Sequence, residues 1–98
     1  MPRQVSFRPL AQYDVDSAIS WYGDERPAIA LAFIQSLDVI IDRIRENPLQ
    51  FPVVRGEVRR ALLGRFPYGV FFVASGKRID VLAVVHLHRE PSTWIDRA

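Results

Sequence analysis

The chain has 98 residues, 49% of them hydrophobic, with no cysteine, a net charge of +2 and a pI near 9.5. That length makes a single domain over 1–98, that apolar fraction excludes a disordered chain, and the missing cysteines exclude a disulfide framework or a thiolate-bound metal. No apolar run is long enough to span a membrane and the first residues lack a signal-peptide core, so the expected location is cytoplasmic.

Val5 and Phe7 alternate with Gln4, Ser6 and Arg8, which predicts a short half-buried strand over Arg3–Arg8. Pro9 suits the first turn of a helix, expected to run to about Tyr22. Leu10, Tyr13 or Asp14, Ser17 or Ala18, and Trp21 recur at spacings of three and four and read as its inward stripe. Trp21 is then a helix-to-sheet contact. Gly23–Arg26 is a turn. A second helix opens at Pro27, with Ile29, Phe33, Leu37, Ile40 and Ile44 as a clean apolar stripe. Asn47-Pro48 ends it, because the residue before proline avoids the α region. The two helices form a helical hairpin whose apolar faces need a sheet to cover.

Leu49–Gly56 reads as a loop pinned to the core by Phe51-Pro52. Glu57–Leu63 and Tyr68–Ala74 follow as two strands of a hairpin, separated by Gly64 and Pro67. Ser75-Gly76-Lys77 is a second tight turn. Arg78–Leu87, nearly all aliphatic, reads as a strand buried on both faces. The tail from His88 has room for one helical turn. The order is β-α-α-β-β-β, an α+β fold in which an antiparallel sheet carries an N-terminal helical hairpin on one face.

The chain has no phosphate-binding glycine loop, nucleophile elbow or zinc motif. His86-Leu87-His88 places two imidazoles on one face of a strand, but no third ligand is spaced to join them, so no metal or other cofactor is expected. Charge is unevenly divided, with a balance of −2 over residues 1–49 and +4 over residues 50–98. The basic half suits an anionic partner, a nucleic acid or an acidic peptide. An ordinary solvated surface is an equal reading of so small an excess.

Arg59, Arg60 and Arg65 lie on or beside the central hairpin, and Arg89 follows the last strand. An antiparallel sheet can bring Arg59 or Arg60 to His86, His88 and Arg89. Arginine there holds phosphate oxygens, and histidine moves protons near neutral pH. Neighbouring strand residues point opposite ways, so only one of Arg59 and Arg60 can join; the other faces solvent or pairs with Glu57. Phe66, Tyr68, Phe71 and Phe72 are candidates for stacking on bases, with Phe71 and Phe72 better suited to the core. Trp94 either anchors the tail or stays exposed as a contact residue.

Trp21-Tyr22, Asn47-Pro48, Arg59-Arg60-Ala61-Leu62-Leu63, Arg65-Phe66-Pro67-Tyr68 and His86-x-x-Arg89-x-Pro91-x-x-Trp94-x-x-Arg97, in that order over nearly the whole chain, together resemble the RelE/ParE toxin superfamily. The resemblance implies the same fold and the toxin half of a type II toxin–antitoxin system, of the kind tied to growth arrest and plasmid stabilization. RelE-like members are ribosome-dependent endoribonucleases that cut mRNA with basic residues on the sheet, an arginine in the third strand, and an arginine and often a tyrosine near the C-terminus. ParE-like members lack most of that set and poison DNA gyrase. Arg59 or Arg60 matches the second-strand basic positions and Arg89 the arginine after the last strand. The RelE-like catalytic set is therefore Arg59, Arg60, His86, His88 and Arg89.

Gly69 stands where the nucleases place the third-strand arginine, and Trp94 near their tyrosine. Losing one such arginine costs on the order of a hundredfold or more. The departure at Gly69 favours the ParE-like branch: a gyrase inhibitor without catalysis of its own. The alternative is a RelE-like ribonuclease acting on the ribosome and its mRNA, and a third possibility is a degenerate toxin that only partners its antitoxin. Arg65, Tyr68 and Trp94 are the candidate contacts to target or antitoxin. The implied partner is a short acidic antitoxin encoded nearby, folding into an arginine-flanked apolar groove to give a hetero-oligomer.

Overall fold

Val5 and Phe7 turn inward from strand β1, Gln4–Phe7, in the computed structural model, which describes residues 3–97. Helices α1, Pro9–Gly23, and α2, Pro27–Glu46, both open on proline and neither has a side-chain N-cap. Proline's fixed φ and absent N–H start each helix instead. Helix α2 stops at Asn47, whose φ of −153° lies outside the helical region, as its position before Pro48 requires. Arg3 completes that end. Its Nη1 donates to the Arg45 and Glu46 carbonyls at 2.9 Å each, two acceptors that a helix C-terminus leaves unpaired.

Strands β2, Val53–Arg55, β3, Val58–Leu62, β4, Tyr68–Ser75, and β5, Arg78–His86, complete a five-stranded sheet in the order β1-β5-β4-β3-β2. The α+β fold with the helical hairpin on one face is the one expected, with two differences. The stretch Leu49–Gly56 is not all loop: it contains a 3-10 turn, Pro48–Gln50, and strand β2. Three residues paired across a bulge to β3 are too few to show alternation in the sequence. In addition, β1 runs parallel to β5, with Gln4 opposite Arg78 and Phe7 opposite Val81, so the sheet is mixed rather than antiparallel throughout. A parallel pair needs a long crossover, and the helical hairpin with the strands after it supplies one.

Apolar clusters cover both faces of the sheet. Under the helices, Phe33, Leu37, Ile40 and Ile44 of α2 pack on Val70, Phe72, Ile79, Val81 and Val84. Tyr22, Phe33, Phe66 and Tyr68 form one aromatic group with centroids 5.1–6.3 Å apart, so Phe66 and Tyr68 are committed to packing. Phe51 meets Phe72 edge-on at 6.0 Å and pins the connection after α2. On the opposite face lie Val58, Phe71, Leu82, Ala83, Val85 and Trp94. A bulge accounts for consecutive residues sharing that side. Phe71 pairs with Ala83 and Phe72 with Val81, so Leu82 is the extra residue and turns the same way as Ala83.

Of the inward stripe expected for α1, Asp14 and Ala18 do turn to the sheet, but its large members do not. Leu10, Tyr13 and Trp21 are 56%, 67% and 61% exposed, while Ala11, Val15 and Ala18 are buried. The small residues let the helix lie close against β5, and Asp14 fixes its rotation by bonding to that strand. Trp21 is therefore not a helix-to-sheet contact.

Candidate functional site

Strand β5 is longer than its parallel neighbour. Past Val81 its free edge faces α1 instead of β1. The Val84 N–H there donates to Asp14 Oδ2 at 2.9 Å. Arg97 from the tail grips the same carboxylate through Nη1 at 2.5 Å and Nη2 at 3.2 Å, and its Nη1 also reaches the Leu82 carbonyl at 3.2 Å. The two side chains are only 10% and 13% exposed. A bidentate pair sheltered from water thus seals a strand edge that would otherwise end in unpaired backbone groups. Sequence reasoning missed this pairing. Its signals were the arginine closing the C-terminal motif and an aspartate within an apolar helical pattern.

Beyond this clamp, β5 turns at His86. The Glu90 N–H donates to the His86 carbonyl at 2.9 Å. The imidazole Nδ1 accepts from the His88 and Arg89 amides at 3.1 and 3.0 Å, so the neutral ring carries its proton on Nε2. Burial, then the neighbouring Arg89 and His88, push the His86 pKa below its ordinary value, with Glu90 opposing. His86 is therefore uncharged at neutral pH and holds the turn that carries Arg89.

The Arg89 guanidinium lies 4.5 Å from the Trp21 ring centroid, and its Nη2 donates to the Tyr68 hydroxyl at 3.2 Å. Tyr68 is 5% exposed. Burial above all, then Tyr22, raises its pKa, against the pull of Arg89, so it stays a neutral phenol. The His86 ring packs 5.2 Å from Tyr68 and 5.8 Å from His88. Trp21, Tyr68, His86 and Arg89 line a cleft of about 370 Å³ between α1 and the end of β5, with His88 outside it.

The structure thus brings together His86, His88, Arg89 and Tyr68 and adds Trp21. It does not bring Arg59 and Arg60 to them. Arg59, opposite Phe72, donates from Nη1 to the Phe51 carbonyl at 2.7 Å. Arg60, opposite Phe71, emerges on the other face, where its Nε is buried without a hydrogen-bond partner. Gly69 lies beside it. A Cβ at Gly69 would stand 3.1 Å from both Leu87 Cδ2 and Phe71 Cε1 and 3.5 Å from Arg60 Cγ, so any side chain there would have to displace Leu87 and Phe71 by a few tenths of an ångström.

Trp94 is 9% exposed, stacks on Phe71 at 4.6 Å and 9°, and donates from Nε1 to the Pro91 carbonyl. The tail-anchor reading is the one its position gives, and the contact reading is not. Arg65 is exposed and holds a φ of 71°, in the left-handed region. It stands at a groove between α2 and β3 lined by Val39, Ile40, Arg43, Leu62 and Gly64. Among the described residues no group of three histidine or carboxylate side chains is placed to hold a metal, and no helix is long and apolar enough to cross a membrane.

A family model described as the ParE toxin of type II toxin–antitoxin system, parDE, matches residues 5–91, from β1 through the turn that carries Arg89. Among solved structures, the fold is similar to that of a chain from the chromosomal ParDE toxin–antitoxin system of P. aeruginosa. The TM-score is 0.74 at 23% identity, covering 86% of this chain and 95% of that one. It is also similar to a chain of the toxin–antitoxin complex RelBE2 from Mycobacterium tuberculosis, with a TM-score of 0.60 at 18% identity, covering 88% and 99%. None of the curated proteins matches the sequence significantly. With the family's pattern spanning both the helical hairpin and the sheet, the chain belongs to the ParE toxins of type II toxin–antitoxin systems.

Proposed function

We propose that this toxin acts by binding DNA gyrase, without catalysis of its own, in the cytoplasm where gyrase works. The observation that carries this reading is the divided set of basic residues. Arg59 is spent on a backbone carbonyl, Arg60 lies on the far face, and Gly69 supplies no cation at all. A ribonuclease needs several cations converging on one phosphate as charge builds in the transition state. Proton transfer is also poorly served: Tyr68 is a neutral phenol, and the His86 Nδ1 is engaged by two amides. Purified toxin incubated with gyrase, ATP and plasmid is expected to abolish supercoiling or trap cleaved DNA. Unchanged supercoiling at high toxin excess overturns the reading.

A second reading rests on the cleft itself. His86, His88 and Arg89 stand together beside Tyr68, as a RelE-like endoribonuclease would need for part of its site. It requires codon-dependent cleavage of mRNA in a translating extract, abolished by Arg89→Ala.

The antitoxin fits the groove between α2 and β3. Val39, 61% exposed, and Leu62, 51% exposed, border it, and Arg43 and Arg65 flank it. An acidic amphipathic segment that folds on binding matches that chemistry. Co-expression with the short acidic protein encoded alongside is expected to give a stable hetero-oligomer, weakened by Val39→Asp.

A further inference from the structure

The α1 stripe is a true apolar pattern that the fold leaves unused. Tyr13, Ser17 and Trp21 sit at i, i+4 and i+8 along the solvent side of α1, with both rings largely exposed. Nothing within the described chain covers them except the Arg89 guanidinium on one part of Trp21. The core is already served by Ala11, Val15 and Ala18 on the opposite side of the helix. Large rings gain little for folding in that position, whereas exposed tyrosine and tryptophan are the residue types that anchor interfaces.

Charge selects the occupant. The carboxylates Asp16 and Asp24 line the hollow shared by Tyr13 and Trp21, and Asp24 and Glu25 line the next one beside Trp21. None of the three has an ion-pair partner among the described residues. The cations nearby are Arg26, which shares the second hollow, and Arg89, which is occupied with Trp21 and Tyr68. In a chain of net charge +2, the border of this aromatic row is locally acidic. Nucleic acid and an acidic antitoxin are both repelled there.

We propose that the outer face of α1, centred on Tyr13 and Trp21, is a second docking surface that takes a basic amphipathic helix of a partner protein. Its apolar side lies along Tyr13, Ser17 and Trp21, and its lysines or arginines reach Asp16, Asp24 and Glu25. Two helices packed by their side-chain ridges suit a row spaced in this way. The surface is separate from the α2–β3 groove and does not depend on gyrase being the target.

The test uses the purified full chain and two fluorescently labelled synthetic helices, one of leucine and lysine and one of leucine and glutamate. The Leu/Lys helix is expected to bind with an affinity that falls with salt, at least about tenfold tighter than the Leu/Glu helix. Tyr13→Ala with Trp21→Ala is expected to weaken it at least about tenfold, while Val39→Asp in the other groove leaves it unchanged. Should the double variant lose its fold by circular dichroism, Ser17→Arg replaces it, placing a cation in the middle of the row. Equal binding of the two helices, or undiminished binding to the variants, overturns the proposal. So does a toxin dimer in sedimentation that Trp21→Ala dissolves, because the row would then belong to a second copy.

Discussion

The two helices carry the same signal and meet opposite fates. Each shows large apolar side chains at spacings of three and four. In α2 that stripe is buried, with Phe33 and Ile44 fully enclosed. In α1 it faces water, and small residues and one aspartate take its place against the sheet. Spacing establishes that a helix has an apolar face. It does not say whether that face is for the protein's own core or for something else. What separates the cases is the rest of the helix. Helix α2 has only its large residues to offer the sheet, and Leu31 and Val39 are left exposed on it, whereas α1 also offers Ala11, Val15 and Ala18, a narrower surface that lets the helix approach β5.

Breaking α2 should have the largest effect. Phe33→Ala removes the ring at the centre of the aromatic group and is expected to cost about 3–5 kcal/mol in a urea titration. Next comes the polar clamp of α1. Asp14→Ala strands the Arg97 guanidinium and the Val84 amide and is expected to cost about 3 kcal/mol. Arg97→Ala should cost nearly as much, with the double variant far from additive, and strict additivity in that cycle would mean the clamp contributes nothing.

Trp21→Ala, by contrast, should change stability by about 1 kcal/mol or less, the value of a cation–π contact at an exposed site. A loss as large as that of Phe33→Ala would return α1's outer row to the core. The smallest effect concerns pH. The folded-state pKa of His86 lies below its unfolded value of about 6.5, so the unfolded chain takes up the proton first. The stabilisation from neutral His86 is complete above that unfolded value and is lost as pH falls through it toward the lower folded value. Urea midpoints compared on the two sides of that window should show the drop, and His86→Gln should flatten it.

Much of the fold was legible because it rests on local rules. Pro9 and Pro27 start helices, Asn47-Pro48 stops one, and Gly76 turns a hairpin with a φ of 59°. The long aliphatic run of β5 correctly implied cover on both sides. Legibility failed where the outcome depended on residues far apart. No local pattern pairs Asp14 with Arg97 or sets β1 parallel to β5. The bulge at Leu82 reverses the side-chain alternation midway along a strand, which defeats counting by twos. At the candidate site, the His86-to-Arg89 turn was visible as a motif. Its union with Trp21 was not, because that required knowing which way α1 is rotated.

The parallel pairing of β1 with β5 also governs when the molecule comes into being. During synthesis the ribosome releases β1, α1 and α2 while β5 does not yet exist. The apolar side of α2 then has no sheet to rest on, and Gln4–Phe7 waits for a partner near the far end of the chain. Closing so long a loop costs entropy before any contact repays it, so the last step of folding is also the one that completes the sheet. The clamp, the cleft and the turn holding Arg89 all hang on β5 and form only then. The surfaces that α1, β5 and the tail make together are therefore among the last that a growing chain can present to an antitoxin.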